Sequence, residues 1–294
     1  MPMRPSCEYP WHAWAEFLYL RPRDTDVTYG VPINTSTALQ NGSTQTIDPD
    51  YTAAFRLGLS RALFDAGSSV GVEYTHFQSS ADQSLSVLPP SGIQAQVLPG
   101  TPTFLADSAH DAVNFDLLDF EYRGLLVAGD RYRVDYLVGS RYANLTQIFD
   151  AQFSAGAARE NLATEIDFNG LGLRVGLEAE RYAARAGLMV YGRAAASFMA
   201  GQFRGYYNES NSATIPLATD WTADRVVPIL EIELGTGWVS PTGHFRLSGG
   251  YLFNAWYNVL QSSDFIQGVQ AKSFSANGST ITFDGLVLRA EARF

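Results

Sequence analysis

Along ten stretches of this chain, apolar and polar residues alternate one for one. That is the pattern of a β-strand with one face toward hydrocarbon and the other toward water or ion pairs. The stretches are 13–20, 51–60, 69–79, 112–127, 131–142, 168–180, 185–203, 221–239, 244–260 and 281–294. In the last, Leu286, Leu288, Ala290, Ala292 and Phe294 interleave with Arg289, Glu291 and Arg293. In the sixth, Leu171, Leu173, Val175 and Leu177 interleave with Gly172, Arg174, Gly176 and Glu178. The fourth alternates through Val113, Phe115 and Leu117, then through Leu118, Phe120 and Tyr122. That change of phase predicts a β-bulge at Leu117-Leu118. Pro228, inside the eighth stretch, has no ladder donor and is expected at a bulge or a strand start.

The connections sort by length. Short ones near Asp65-Ala66-Gly67, Ala128-Gly129-Asp130, Tyr182-Ala183-Ala184 and Ser240-Pro241-Thr242-Gly243 alternate with long ones at 21–50, 80–111, 143–167, 204–220 and 261–280. The long ones are rich in Ser, Thr, Asn, Gly, Gln and Pro. Strict alternation predicts a ten-stranded antiparallel up-and-down transmembrane β-barrel of the bacterial outer membrane, with short periplasmic turns and long extracellular loops. An even strand number puts both termini on the periplasmic side. Residues 1–12 are expected as a flexible tail before a single barrel domain, 13–294. A β-sandwich, the soluble competitor, would not sort its loops this way. Tyr132, Trp238 and Phe245 near the turns and Tyr142, Phe253 and Tyr257 near the loops predict two interfacial girdles facing outer-membrane lipid. The terminal aromatic, Phe294, is read as the signal that presents the last strand to the barrel-assembly machinery.

Composition narrows the chemistry. Charged residues make up 17%, against about 25% in ordinary soluble domains. No apolar run reaches the ~18–20 residues of a membrane helix, so the chain is either soluble or crosses lipid as a closed barrel. The net charge of −10 argues against nucleic acid as a partner. Cys7 is the single cysteine, a free thiol in the tail that forms no internal disulfide. Residues 1–10 hold no apolar core of a secretion signal, and the chain is expected to be a mature or a truncated form. His12, His76, His110 and His244 fall in the tail, at a strand end, in a loop and at a turn, without metal-ligand spacing. Asp24-Thr25-Asp26 and Asp48-Pro49-Asp50 fit no twelve-residue calcium loop. No cofactor or metal is expected. His110, with Asp107 and Asp111 near it, shows no further catalytic partner, so no enzyme activity is expected.

The polar face of each strand is assigned to the lumen. Its charges, nine acids and nine arginines, favour mutual pairing, since unpaired charge in a dry lumen is costly. Ten strands leave an interior little wider than the eight-strand barrels that side chains fill. Glu121, Arg123, Arg133, Asp135, Arg141, Arg174, Glu178, Glu231, Arg246 and Arg289 would line any path. They read either as a constriction selecting small solutes or as ion pairs plugging a barrel that anchors and presents its loops. The outward aromatic faces would allow lateral packing into homo-oligomers or against neighbouring envelope proteins.

Three motifs carry a family resemblance. They are Ala15-Glu16-Phe17-Leu18-Tyr19-Leu20-Arg21-Pro22-Arg23 followed by Tyr29, Val138-Gly139-Ser140-Arg141-Tyr142-Ala143, and the run from Phe168-Asn169-Gly170 to Glu178. They resemble strands of the Legionella-type pore-forming major outer membrane proteins. The resemblance covers nearly the whole chain. It implies an outer-membrane barrel with passive passage of small solutes, and it supplies no catalytic residues.

Overall fold

The computed structural model describes residues 10–63, 67–183, 187–211, 216–274 and 278–294. Cys7 and parts of the turns at Asp65-Ala66 and Ala184 lie outside the described residues. Fifteen strands and one helix follow in chain order: β1 (Trp11–Arg23), β2 (Val27–Asn34), β3 (Leu39–Gln40), β4 (Gln45–Ile47), β5 (Thr52–Ala62), β6 (Ser69–Ser86), β7 (Ser91–Ala95), β8 (Thr103–Phe104), β9 (Ala106–Ala128), β10 (Tyr132–Ala155), β11 (Ala158–Tyr182), β12 (Leu188–Asn211), β13 (Leu217–Val239), β14 (Phe245–Val259), α1 (Ser262–Ala271) and β15 (Ser279–Arg293). Ten of the strands close a barrel in the order β1-β15-β14-β13-β12-β11-β10-β9-β6-β5. These are the ten stretches read from the alternation, and every barrel pairing is antiparallel. The other five form a small sheet, β3-β2-β7-β8 with β4 on β2, carried by the first two long connections. Closure is sealed at the termini, where Trp11 and Phe294 exchange backbone hydrogen bonds of 2.9 and 3.0 Å.

Four expectations change. Trp11 and His12 belong to β1, so the strand starts inside the segment read as tail. The connections at 143–167 and 204–220 are largely ladder: β10 and β11 pair without a break from Tyr132↔Arg181 to Ala155↔Ala158. The bulge is not at Leu117-Leu118. β9 keeps register there against both neighbours, and the slip lies where Val134↔Val127 gives way to Asp135↔Leu125. Pro228 sits in mid-strand, still paired with β12 opposite Phe198, at the point where β14 pairing ends.

One cause underlies two of these differences. Parity along each strand never changes, but the polarity it carries reverses. On β10, Val138 and Tyr142 face out while Arg141 is buried; farther on, Asn144 and Thr146 face out while Leu145 and Phe149 are buried. On β11, Leu171, Leu173, Val175 and Leu177 are outward around a buried Arg174, and beyond Asn169 the buried residues are Phe168, Ile166 and Leu162. On β9, Phe115 and Leu117 are buried and so are Asp119 and Glu121, whereas Phe120 is exposed. The apparent phase slip marks a lumen changing from hydrocarbon to charge. Outside, the apolar run 171–179 rises about 30 Å along its strand and spans about 23 Å at ~40° tilt, the height of a lipid band. Above the band the wall has the polarity of a water-exposed protein. Tyr132, Trp238, Phe245, Tyr142, Phe253 and Tyr257 all face outward at its margins, 39–62% exposed.

Candidate functional site

The lumen is filled by two layers. In the half nearer the termini, β1 contributes Trp14 and Glu16, β5 Arg56, β6 Glu73, β9 Asp119, Glu121 and Arg123, and β10 Arg141. β11 adds Arg174, Glu178 and Glu180, β12 Arg193, β13 Glu231 and Glu233, β14 Arg246 and β15 Arg289 and Glu291. Each is inward because side chains alternate across a strand. Among the described residues, seven arginines and nine carboxylates of this layer form one connected ion-pair network.

Arg141 lies at its centre, 0% exposed. It donates from Nε and Nη2 to the two oxygens of Asp119, both at 2.6 Å, and its Nη1 lies 2.8 Å from Glu231. Arg174 pairs with Glu231 and, at 2.9 Å, with Glu121. Arg123 bridges Glu121 at 2.9 Å and Glu178 at 3.4 Å, and Arg193 reaches Glu178 at 3.0 Å. Arg246 joins Glu180 to Glu291, and Arg289 joins Glu16 at 3.1 Å to Glu291 at 2.7 Å. The planar guanidinium fork makes such multi-partner bridging possible; an ammonium would not reproduce it.

Four neutral or ring donors serve the acid surplus. Trp14 donates to Glu73 at 2.8 Å and Tyr191 to Glu233 at 2.7 Å, Tyr182 donates to Glu180, and the His12 ring sits 2.9 Å from Glu291. Trp14 occupies the space above Gly58, where an added Cβ would lie 2.1 Å from the indole. The network leaves a cavity of ≈ 40 Å³ bordered by Arg56, Glu73, Arg123, Arg174, Glu178 and Arg193, room for about three waters.

The second layer lies toward the loops and is apolar. Phe115 stacks on Phe77 with ring centroids 5.1 Å apart and meets Phe283 edge-on at 4.8 Å. Trp256 lies 5.8 Å from Phe115. Leu20, Leu145, Phe149, Phe168, Met199, Phe203, Ile229 and Ile281 complete a core exposed by 1% or less. α1 caps it with buried Phe265 and Ile266. Its position is held by Gln147 Nε2 donating to the Leu260 carbonyl and Gln270 Nε2 to the Val97 carbonyl, both at 2.7 Å. The small sheet rests on the same core through Val27, Tyr29, Ile47, Ala95 and Phe104.

All ten residues expected to line the lumen are inward. Eight join the network; Arg133 and Asp135 pair with each other at 2.6 Å nearer the terminal end. Glu16, Trp14, Tyr191 and His12 belong to the network and were not on that list. Glu16 was legible, as the polar residue among Ala15, Phe17 and Tyr19. The aromatic layer was not, because every inward position had been assigned to polar residues. His110 is not a partnerless loop residue and His76 is not at a strand end: both stand on the outward face within strands, 2.8 Å from Asp82 and Asp116 across adjacent strands. Asp107 and Asp111 point the other way, into the loop-end lobe beyond the lipid band. Burial pushes Asp107 up to about 6, and burial beside Asp48 pushes Asp111 up to about 8. Asp107 also lies over Gly30, where a Cβ would meet its Oδ2 at 2.6 Å. Among the described residues, no cluster of three or more His, Cys, Asp or Glu is placed to hold a metal ion.

Comparison with known proteins agrees with this architecture. The outer membrane protease OmpT of Escherichia coli has the same fold at a TM-score of 0.52 and 11% identity, over 97% of both chains. A Pseudomonas aeruginosa FadL homologue (TM-score 0.26, 7% identity, 97% of this chain and 90% of that one) and the P. putida toluene transporter TodX (0.27, 8%, 97% and 90%) are more distant matches. No curated protein matches the sequence. The model of the Legionella pneumophila major outer membrane protein precursor matches residues 3–287. The chain is an outer-membrane β-barrel of the Gram-negative type, localised to the bacterial outer membrane, and it belongs to that major outer membrane protein family.

Proposed function

We propose that this protein works as a closed outer-membrane barrel, a stable wall element that holds a structured lobe at its loop end. One observation carries the reading: the lumen is filled twice, by a paired charged layer and then by an aromatic core. Both layers are built from buried side chains, and on this reading each would have to rearrange for a solute to pass.

Passage of small solutes is the second reading. It is favoured by the small cavity of ≈ 40 Å³ among the lumenal arginines and glutamates, the place where a narrow charged constriction would form. Planar-bilayer conductance of the purified barrel separates the two. Silence from a folded, heat-modifiable sample supports the closed barrel; discrete, salt-dependent steps overturn it. On the two-layer reading, Arg174→Ala with Glu231→Ala stays silent, because the aromatic layer still closes the path. Conductance appears when Phe115→Ala and Phe283→Ala are added.

We read the protein as non-enzymatic. His110 and Asp82 are exposed on the outer wall, with Asp107 and Asp111 on the opposite face. Peptide or lipid hydrolysis by intact cells that disappears on His110→Ala would refute this. Phe294, 60% exposed at the end of β15, is the proposed contact for the barrel-assembly machinery; Phe294→Ala should slow membrane assembly without changing the assembled barrel. The outward apolar band serves lipid in this reading, and lateral homo-oligomers would show as higher-mass species in gentle detergent.

A further inference from the structure

Two outward arginines stand at the same level of the wall without a carboxylate partner. On β5 the outward residues Phe55, Leu57 and Leu59 are followed by Arg61. On β11 the outward residues Val175, Leu177 and Ala179 are followed by Arg181. Each is the first outward side chain past the apolar band on the side of the short turns, hence at the periplasmic leaflet. Both are exposed. Among the described residues, neither side chain has an ion pair or a hydrogen bond, and the outward strand positions within the band and at this margin hold no carboxylate. The other arginines discussed so far are engaged: those of the lumenal network bridge carboxylates, and Arg21 and Arg23, outward at the loop end, pair with Asp48 and Asp284.

The surroundings of the two repeat. Arg61 lies opposite Trp11 on β1 and Val70 on β6; Arg181 lies opposite Tyr132 on β10 and Val190 on β12. Each guanidinium therefore has an exposed aromatic on one neighbouring strand and an exposed valine on the other. The Arg61 guanidinium sits over the Trp11 ring, 5.4 Å from its centroid. Stacking of this kind fixes the plane of the guanidinium and leaves its N–H edge free to donate. An arginine on the outer wall costs little at the interface and about 2–4 kcal/mol at the midplane, so this level suits the charge. It is also the level of the head-group phosphates.

We propose that Arg61 with Trp11, and Arg181 with Tyr132, are two sites of one design that bind the phosphate of an anionic glycerophospholipid in the periplasmic leaflet. The guanidinium edge donates to two phosphate oxygens. The aromatic ring lies at the glycerol level, and the acyl chains run down Leu59 and Val70 at one site and Ala179 and Val190 at the other. A zwitterionic head group offers the same phosphate, but its ammonium offsets the attraction, so the preference is for net negative lipid. Three strands separate β5 from β11 around the barrel. Contacts on two such sectors of the wall would set its depth and tilt in the membrane, which one contact could not do.

The test uses the full barrel in a mild non-ionic detergent, with phosphatidylglycerol as the probe and phosphatidylcholine of the same acyl chains as control. Native mass spectrometry counts the lipids retained, and heat modifiability shows that each variant is folded. The expected result is two phosphatidylglycerol molecules held at low lipid concentration, with phosphatidylcholine held more weakly and the difference shrinking as salt is raised. Arg61→Gln and Arg181→Gln should each weaken one site about 5-fold, and the double variant should lose the preference for the anionic lipid. Arg204→Gln removes an outward arginine at the loop end and should retain lipid like the parent. Equal retention of the two lipids by the parent, unchanged phosphatidylglycerol binding in the double variant, or the same loss in Arg204→Gln overturns the proposal.

Discussion

Arg141→Met tests whether the lumenal network stabilises the barrel through mutually paired charges. Arg141 and Asp119 are 0% and 1% exposed, and the bidentate contact at 2.6 Å supplies both oxygens of Asp119. With the guanidinium gone, the nearest cation to Asp119 is Arg174 at 3.9 Å, beyond hydrogen-bond reach. Glu231 keeps Arg174 and Arg56. The substitution therefore strands one buried carboxylate, a loss of about 3–5 kcal/mol. Asp119→Asn should be milder, about 1–3 kcal/mol, because Arg141 keeps Glu231 at 2.8 Å. Removing both charges with Arg141→Met and Asp119→Leu should bring stability back toward the parent, because the stranded charge disappears with its partner. Urea unfolding in phospholipid vesicles, followed by tryptophan fluorescence, measures all three. Additive losses in the double variant, or a change under about 1 kcal/mol for Arg141→Met, would refute the charge-pairing argument.

Two further outcomes follow from single contacts. Gly58→Ala should push the Trp14 indole off Glu73, since the new Cβ would lie 2.1 Å from the ring; a shift of tryptophan emission with loss of stability is expected, and an unchanged spectrum would contradict the packing. Asp107 and Asp111 have folded pKa values raised to about 6 and about 8, so the folded lobe holds protons that the unfolded chain releases near about 4. Their stabilising contribution is full below that pH and lost as pH rises through about 6 and then about 8. Amide exchange of β2 and β4 should accelerate between pH 5 and 9 beyond the intrinsic base-catalysed rate, and Asp111→Asn should remove the upper part of that rise.

The sequence carried the barrel because lipid is an unforgiving selector of outward residues. Leu171, Leu173, Val175 and Leu177 have no alternative to lying on the outer wall, and ten such runs with alternating connection lengths leave little freedom in topology. The charged layer was legible for the same reason: Arg174 and Glu178 share parity opposite to those leucines. Pairing partners were not legible, because Arg174 meets Glu121 and Glu231 across the lumen, at separations that no local pattern encodes. The loop-end lobe was hidden by its polarity. Asn144, Thr146, Asn169 and Asp167 look like loop residues, and only the ladder between β10 and β11 reveals them as the wet face of a continuing strand. His12 was missed because the alternation begins clearly only after it, and its partner Glu291 is at the far end of the chain.

The reversal of polarity makes one comparison decisive. Val138 and Thr146 lie on the same outward face of β10, and nothing in the backbone distinguishes them, since both sit in unbroken antiparallel ladders. If the outer medium changes between them, from lipid at Val138 to water at Thr146, the same substitution must have consequences of very different size. Val138→Arg places a charge in the hydrocarbon band and should cost about 2–4 kcal/mol, whereas Thr146→Arg should cost about 0–1. The loss of the Thr146 bond to Asp167 (2.7 Å) would be offset by an ion pair between that aspartate and the introduced arginine. Folding yields into vesicles and urea midpoints would report both. Equal penalties would mean that the polar upper wall is not outside the bilayer. The inward aromatic layer would then be a membrane-embedded plug rather than the core of a water-exposed lobe. A large penalty at Val138 alone locates the lipid boundary near Tyr142, and with it the level at which the lumen changes from salt to hydrocarbon.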